Sequence, residues 1–533
     1  MSGRIPRARI IAATAVSLGL AVMFGVVALP SARAASVSVS SFVERCDIHF
    51  CVDGATYYFA GANTYDVFTF GGSYGDTETE YMSKDRIDAH FAQLQADKVS
   101  VLRLWMFSHE SWHGFETAEG EYNEQQFALF DYVIESAKAH DVRLIPVFEN
   151  YWEAYGGIDT RLEWEGLSGG HPGRAAFFDK TRCPGCFTQY KNYVDYALNR
   201  TNHYSGVQYK DDPTIFAWEL MNEPRYQDQS AEENTSGATL RAWVDEMGAY
   251  VKGIDANHLL GTGLEGHESR YGFGGDEGNP FVAIHDSPYI DFTSAHPYTT
   301  EEWANLDIEQ TKALIRAWIA DSHEVVGKPF FMGEFNFKNV DRSAWWSEIF
   351  DDFEAADGDG SAFWWYLDPA NTASDNYSVK PGAAELAAFR DHSAAMMAKS
   401  GLPPTSTSPS ASPSPSASPS PSASTVPDGT CSVAYAINDW GSGFVADVTI
   451  SNLTTTAVND WTLAFTFAGD QYIGNTWNAV VTQSGTAVTV TNAGWNAAIA
   501  PSESVAFGFQ ATYSGANAAP TTFTLNGSAC TVG

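Results

Sequence analysis

Short apolar runs recur between residues 41 and 398, at Tyr57 to Ala62, Val99 to Trp105, Val142 to Phe148, Thr214 to Leu220, Leu259 to Leu264, Phe292 to His296, Phe330 to Glu334 and Ala362 to Leu367. Such runs suit buried parallel strands. Between many of them apolar residues return every three or four positions, as in Ile87, Phe91 and Leu94; Phe127, Phe130 and Ile134; Leu240, Trp243, Met247 and Val251; and Leu314, Ile315, Trp318 and Ile319. Eight strands with intervening helices predict an α/β fold, a (β/α)8 TIM barrel over 41–398. A doubly wound sheet also alternates. However, no glycine-rich phosphate loop follows the first strand, and polar or aromatic residues end nearly every run.

The pattern changes after the barrel. Residues 402–427 are almost only Ser, Pro, Thr and Ala, which predicts an extended linker with no core. Residues 428–533 contain no Lys or Arg and alternate with period two, as in Phe444 to Ile450. This predicts a separate β-sandwich. At the other end, Arg4, Arg7 and Arg9 precede an apolar run from Ile10 to Leu29, and Ala32-Arg33-Ala34 follows. Residues 1–35 therefore read as a signal peptide for export; an uncleaved anchor is the alternative. A secreted, extracellular chain has no membrane partner once that segment is removed.

Composition narrows the partners. A formal charge of −35 disfavours nucleic acid and anionic membranes, whereas a neutral polysaccharide fits the charge and the 16 Trp residues. Six cysteines in an exported chain suit disulfides, and proximity suggests Cys46 with Cys51, Cys183 with Cys186, and Cys431 with Cys530. Cys183-Pro184-Gly185-Cys186 is also the spacing of a redox or zinc half-site.

In a barrel of this kind, functional groups project from the C-terminal strand ends. Those ends carry Asn63, Arg103, Asn222, Glu223, His296, Tyr298, Glu334 and Trp364. Two carboxylates, a guanidinium, amide and imidazole donors and aromatic faces are what cleavage of a sugar linkage requires. Trp218-Glu219-Leu220-Met221-Asn222-Glu223-Pro224-Arg225 ends the fourth strand and Phe331-Met332-Gly333-Glu334-Phe335 the seventh. On these motifs the barrel resembles glycoside hydrolase family 5. The resemblance implies Glu223 as acid/base, its carboxyl held up by the neighbouring carboxylate, and Glu334 as nucleophile. It implies Arg103 and Tyr298 as donors to Glu334, Asn222 on the substrate 2-OH, His296 beside the acid/base, and Trp364 (or Trp365) under the sugar at the cleavage point.

Further runs, Phe59 to Tyr65, Leu102 to Phe107, Asn150-Tyr151-Trp152 and Tyr155-Gly156-Gly157, resemble the endo-β-1,4-mannanase branch. That resemblance implies hydrolysis of mannan, glucomannan and galactomannan by a retaining double displacement. Glu149 departs from it, since a polar uncharged residue is usual there. Trp105, Trp112, Trp152 and Trp303 are candidate stacking platforms, and each equally suits core packing. In the C-terminal domain Trp440, Trp477 and Trp495 stand in polar, turn-like contexts, whereas Trp461 lies in an alternating strand and suits a core position. The domain resembles family 2 carbohydrate-binding modules, and Gly443, three residues after Trp440, marks the form that binds crystalline cellulose.

An endo-β-1,4-mannanase held to cellulose, acting as a monomer without cofactor or metal, is the expectation. An endo-β-1,4-glucanase, an exo-acting mannosidase and a non-catalytic wall-binding protein are the alternatives.

Overall fold

The computed structural model describes residues 39–70, 79–368, 375–400, 430–439, 443–477, 479–492, 496–501, 503–515 and 517–532. The expected signal peptide and linker lie outside them. The chain divides into two compact units, Met1–Pro409 and Ser410–Gly533.

In the first unit eight parallel strands carry the fold: β1 (Phe59–Asn63), β2 (Val101–Trp105), β3 (Arg143–Val147), β4 (Ala217–Glu219), β5 (Leu259–Gly261), β6 (Thr293–Ala295), β7 (Phe330–Met332) and β8 (Gly360–Phe363). They hydrogen-bond in the order β5-β4-β3-β2-β1-β8-β7-β6. The Asp291 N–H donates to Leu260 O (2.8 Å) and the His296 N–H to Glu265 O (2.9 Å), bringing β5 and β6 together into the (β/α)8 barrel. β8 starts before the apolar run at Ala362. Its first residue, Gly360, carries no apolar signal, yet it leaves the room that the Phe59 ring fills: a Cβ there would come within 2.2 Å of that ring.

The helices turn their apolar stripes inward. Ile87, Phe91 and Leu94 are buried on Lys84–Ala96, whose N-terminus is capped by Ser83 accepting from the Arg86 N–H. Leu240, Trp243, Met247 and Val251 are buried in the same way on Ala238–Ile254. Among the described residues, no helix is long and apolar enough to cross a membrane.

An antiparallel hairpin, Val43–Cys46 with His49–Val52, closes the end of the barrel opposite the strand C-termini. Its Phe50 packs on Phe216 (5.1 Å between ring centroids), Phe292 (5.7 Å) and Phe59 (5.8 Å). The sequence pattern did not announce this plug, because four-residue strands are too short for a period to register.

The second unit is a curled β-sandwich with its own core, in which Trp461 is fully buried and donates its indole N–H to Asn496 O at 2.7 Å. The three disulfides join Cys46 to Cys51, Cys183 to Cys186, and Cys431 to Cys530. The last spans 99 residues, a closure worth roughly 4–5 kcal/mol in chain-entropy terms. Cys183 and Cys186 form this bridge at the start of the helix Pro184–Asn199, so they are not a metal half-site here.

His49 ties the plug to the barrel through Asp359 (2.6 Å), which also meets His323 (2.8 Å) and the Phe330 N–H (2.8 Å). The hydrogen bond to Asp359 raises the His49 pKa above its ordinary value, against partial burial. Because the raised value belongs to the folded state, this contact stabilises fully below the unfolded pKa of about 6.5 and ceases to do so as pH rises through the folded value. Thermal melts of wild-type and His49→Gln chains should therefore differ at acidic pH and draw together toward alkaline pH. A gap that stays constant would assign the contact to packing alone.

Candidate active site

The strand ends converge on a cleft of about 780 Å³. Arg103, on β2 and fully buried, is its hub. Its guanidinium donates to Glu219 (2.7 Å), Glu334 (2.6 Å), Asn63 (3.1 Å) and Asn222 (2.9 Å), so one planar group ties together residues from β1, β2, β4 and the turns after β4 and β7. Asn222 in turn donates to Asn150 at 3.0 Å.

Glu334 follows β7. One of its carboxylate oxygens takes the Arg103 bond and the other takes the Tyr298 hydroxyl at 2.7 Å. Glu223 follows β4 in a left-handed conformation, φ +51°, that side chains other than glycine's rarely adopt. Its oxygens meet His296 Nδ1 at 2.9 Å and the indole N–H of Trp152 at 2.6 Å. An oxygen of Glu223, a nitrogen of His296 and an oxygen of Glu334 lie within 4.8 Å of one another.

These three groups titrate together. Burial pushes the Glu223 carboxyl up, but the hydrogen bond and charge of His296, with Arg225 and Trp152, outweigh it and bring it down to about 2. Burial pushes Glu334 up, against His296 and Arg103. His296 is raised: burial alone would lower it, and the Glu334 and Glu223 charges reverse that. The sequence-based expectation that Glu223 is held up by its neighbour is thus corrected for the free site, where His296 outweighs burial. His296 Nε2 is buried without a hydrogen-bond partner, facing Gly333, where a Cβ would come within 3.0 Å of it.

The aromatic candidates separate. Trp364 lines the cleft, stacked on Tyr65 at 5.5 Å, whereas Trp365 is buried and donates to Asp375 at 3.0 Å. Trp105 lines the cleft but is only 8% exposed, packed among Tyr65, Phe107 and Trp364. Trp152 presents its N–H to Glu223 and its ring to Arg225 at 5.0 Å, so it acts on the carboxylate as well as the wall. Trp303 is 52% exposed and lines the cleft, against His267 and Phe273. Trp112, 38% exposed beside Tyr81, is not part of the lining.

Glu149 belongs to a buried network with Arg161 and His109 (3.2 Å), and Arg161 also pairs with Glu116 (2.9 Å). Burial pushes Glu149 up, but Arg161 and His109 bring it down to about 2. Its departure from the family pattern thus lies beneath the cleft, where its Oε1 accepts from the Asn150 N–H at 3.0 Å.

Arg225, His267, Glu277, Glu301, Asp375 and Tyr377 line the cleft without having been given a role in the sequence. Arg225 reaches Glu265 (2.7 Å) and Glu277, with His267 beside it. Arg225 was legible in principle, since it follows Asn-Glu-Pro directly. Among the described residues three groups of His and carboxylates also lie close enough to hold an ion, which the sequence did not suggest. One is the Glu223–His296–Glu334 set, and one (Glu265, His267, Glu277) is filled by the Arg225 guanidinium. In the third, His49 and His323 bond to opposite oxygens of Asp359.

In the cellulose-binding candidates, Trp440 and Trp495 lie outside the described residues. So does the side chain of Trp477, whose backbone ends the strand Tyr472–Trp477.

Comparison with known proteins accords with this geometry. Residues 40–338 match the family described as GH family 5 beta-mannosidase-like, and residues 431–530 match the cellulose binding domain. A putative mannan endo-1,4-beta-mannosidase 9 from Oryza sativa subsp. japonica is 31% identical over 375 residues, 66% of this chain and 88% of the relative. Mannan endo-1,4-beta-mannosidase 2 from Arabidopsis thaliana is 33% identical over 57% of this chain and 70% of its own. Among solved structures, the endo-1,4-beta-mannanase from Rhizomucor miehei is similar with a TM-score of 0.56 and 28% identity, over 67% of this chain and all of that one. With its paired carboxylates at the ends of the fourth and seventh strands, the chain belongs to glycoside hydrolase family 5 and carries a cellulose-binding domain at its C-terminus.

Proposed function

We propose that this glycoside hydrolase is a secreted, monomeric endo-β-1,4-mannanase that cuts mannan, glucomannan and galactomannan with retention of configuration. The observation that carries the mechanism is the approach of Glu223 and Glu334, with oxygens within 4.8 Å. Retaining enzymes hold their carboxyls about 5–5.5 Å apart, whereas inverting ones leave roughly 6.5–9.5 Å for a water. Glu334, fixed by Arg103 and Tyr298, attacks the anomeric carbon. Glu223 protonates the leaving oxygen, drawing the proton across its 2.9 Å contact with His296. Once the glycosyl ester has neutralised Glu334, Glu223 takes a proton from the incoming water. Asn222, held by Arg103 and Asn150, is oriented for the sugar 2-OH, and Trp364 is the floor beneath the ring. All these groups come from one chain, which suits a monomer.

The mannan assignment is supported by the names of the relatives and by the Rhizomucor structure. Export is supported by the 1–35 segment and by three disulfides. Cellulose anchoring is supported by the matched domain, with Trp440, Trp477 and Trp495 as its stacking strip beside Gly443. The barrel (41–398), linker (402–427) and sandwich (428–533) are then the units that cut, space and anchor.

Nuclear magnetic resonance of early manno-oligosaccharide hydrolysis should show the β-anomer first; the α-anomer first would exclude retention. Glu334→Gln should lower turnover of all substrates by more than about 10⁴-fold, as loss of a covalent nucleophile does. Glu223→Ala should lose about 10²–10⁴-fold on mannan but far less on an aryl mannoside whose leaving group needs no proton. Equal losses on both substrates would remove Glu223 from the acid role. Arg103→Lys keeps a charge but not the four-way fork, and kcat should fall by about 10²–10³-fold. Comparable kcat/KM on mannan and on an uncharged soluble β-1,4-glucan would overturn the mannanase assignment.

A further inference from the structure

The cleft's charges are one-sided. Among the described residues lining it are five carboxylates, Glu223, Glu277, Glu301, Glu334 and Asp375, and a single guanidinium, Arg225. That guanidinium is engaged by Glu265 and Glu277. Arg103 is fully buried behind Glu334, and Lys338 is bound to Glu301 from outside the lining. Among the described residues Asp375 is held by neutral donors: the Trp365 indole (3.0 Å) and the backbone N–H groups of Tyr377 (2.8 Å) and Ser378 (2.5 Å). The cations named are each committed to a carboxylate, as is Arg342, which bonds Glu385 (3.0 Å) while donating to Asn376 O, and among the described residues Asp375 has no ion pair.

A carboxylate is an acceptor only, so these groups are well matched to sugar hydroxyls, which donate. The same property makes them hostile to a second anion, because two carboxylates brought within a few ångströms cannot both stay ionised without cost. We infer that the cleft is an electrostatic filter, with Asp375, Glu301 and Glu277 as specificity determinants that admit uncharged β-glycans and reject chains bearing uronate or carboxymethyl groups near the cut. The inference rests on the hydrolase reading above and adds a substrate class to it.

The test uses the full chain and one soluble mannan in three forms: unmodified, lightly carboxymethylated and aminoethylated to the same degree. kcat/KM is measured at about 10 mM and about 200 mM salt, where the screening length shrinks from roughly 30 Å to under 10 Å. The carboxymethyl form should be cut at least about 10-fold more slowly than the unmodified one at low salt, and salt should narrow that gap several-fold. The aminoethyl form should respond in the opposite sense and the unmodified form hardly at all. The chain's overall charge of −35 would also slow a polyanion, so Asp375→Asn and Glu277→Gln separate local from global repulsion. Each removes one charge, and the ratio of carboxymethyl to unmodified turnover should rise several-fold in at least one of them. Salt-independent slowing of both derivatives would indicate steric exclusion, and an unchanged ratio in both variants would assign the effect to the whole chain. Either result overturns the filter while leaving the hydrolase intact. No cleavage of unmodified mannan would instead remove the reading beneath it.

Discussion

The site is organised by one buried cation. Arg103 is enclosed with no exposure to water, and a guanidinium in that position is tolerable only if its donors are matched by acceptors and its charge by carboxylates. Glu219 and Glu334 supply the charges, and Asn63 and Asn222 the remaining acceptors. The fork is planar and rigid, so satisfying it fixes the relative positions of groups from four parts of the barrel. Glu219 shares the guanidinium on the side away from the cleft, and Glu334 faces the cleft.

Around that hub two carboxylates and an imidazole, Glu223, Glu334 and His296, lie within 4.8 Å of one another. His296 has a partner on one nitrogen only, and its other nitrogen is pressed toward Gly333. Trp152 holds the Glu223 carboxylate from the side opposite His296. The left-handed turn at Glu223 is the local cost of aiming that carboxylate into the cleft.

Much of this was legible in the chain. The eight apolar runs fall on the eight barrel strands, and Asn-Glu-Pro and Gly-Glu-Phe stand at the ends of β4 and β7 because a run that stops on a polar residue marks where a buried strand meets the cleft. What was not legible is how polar groups pair across the barrel. Glu149 is indistinguishable in sequence from a cleft carboxylate, and only the fold brings Arg161 and His109 to it. Trp152 could be read as a platform, but not as a donor to Glu223, since direction is a property of the rotamer. The plug hairpin and the glycine that opens β8 escaped because neither carries a period.

The sandwich's lack of basic residues reaches beyond sugar binding. From Ser400 to the last residue the chain has no Lys or Arg, so Lys399 is the final bond at which a trypsin-like protease could cut. Proteolysis by that class of enzyme would release the Ser- and Pro-rich stretch 402–427 and the sandwich as one uncut piece. A trypsin digest would show no peptide boundary anywhere within them, and reagents that modify lysine amines would leave the folded module unlabelled.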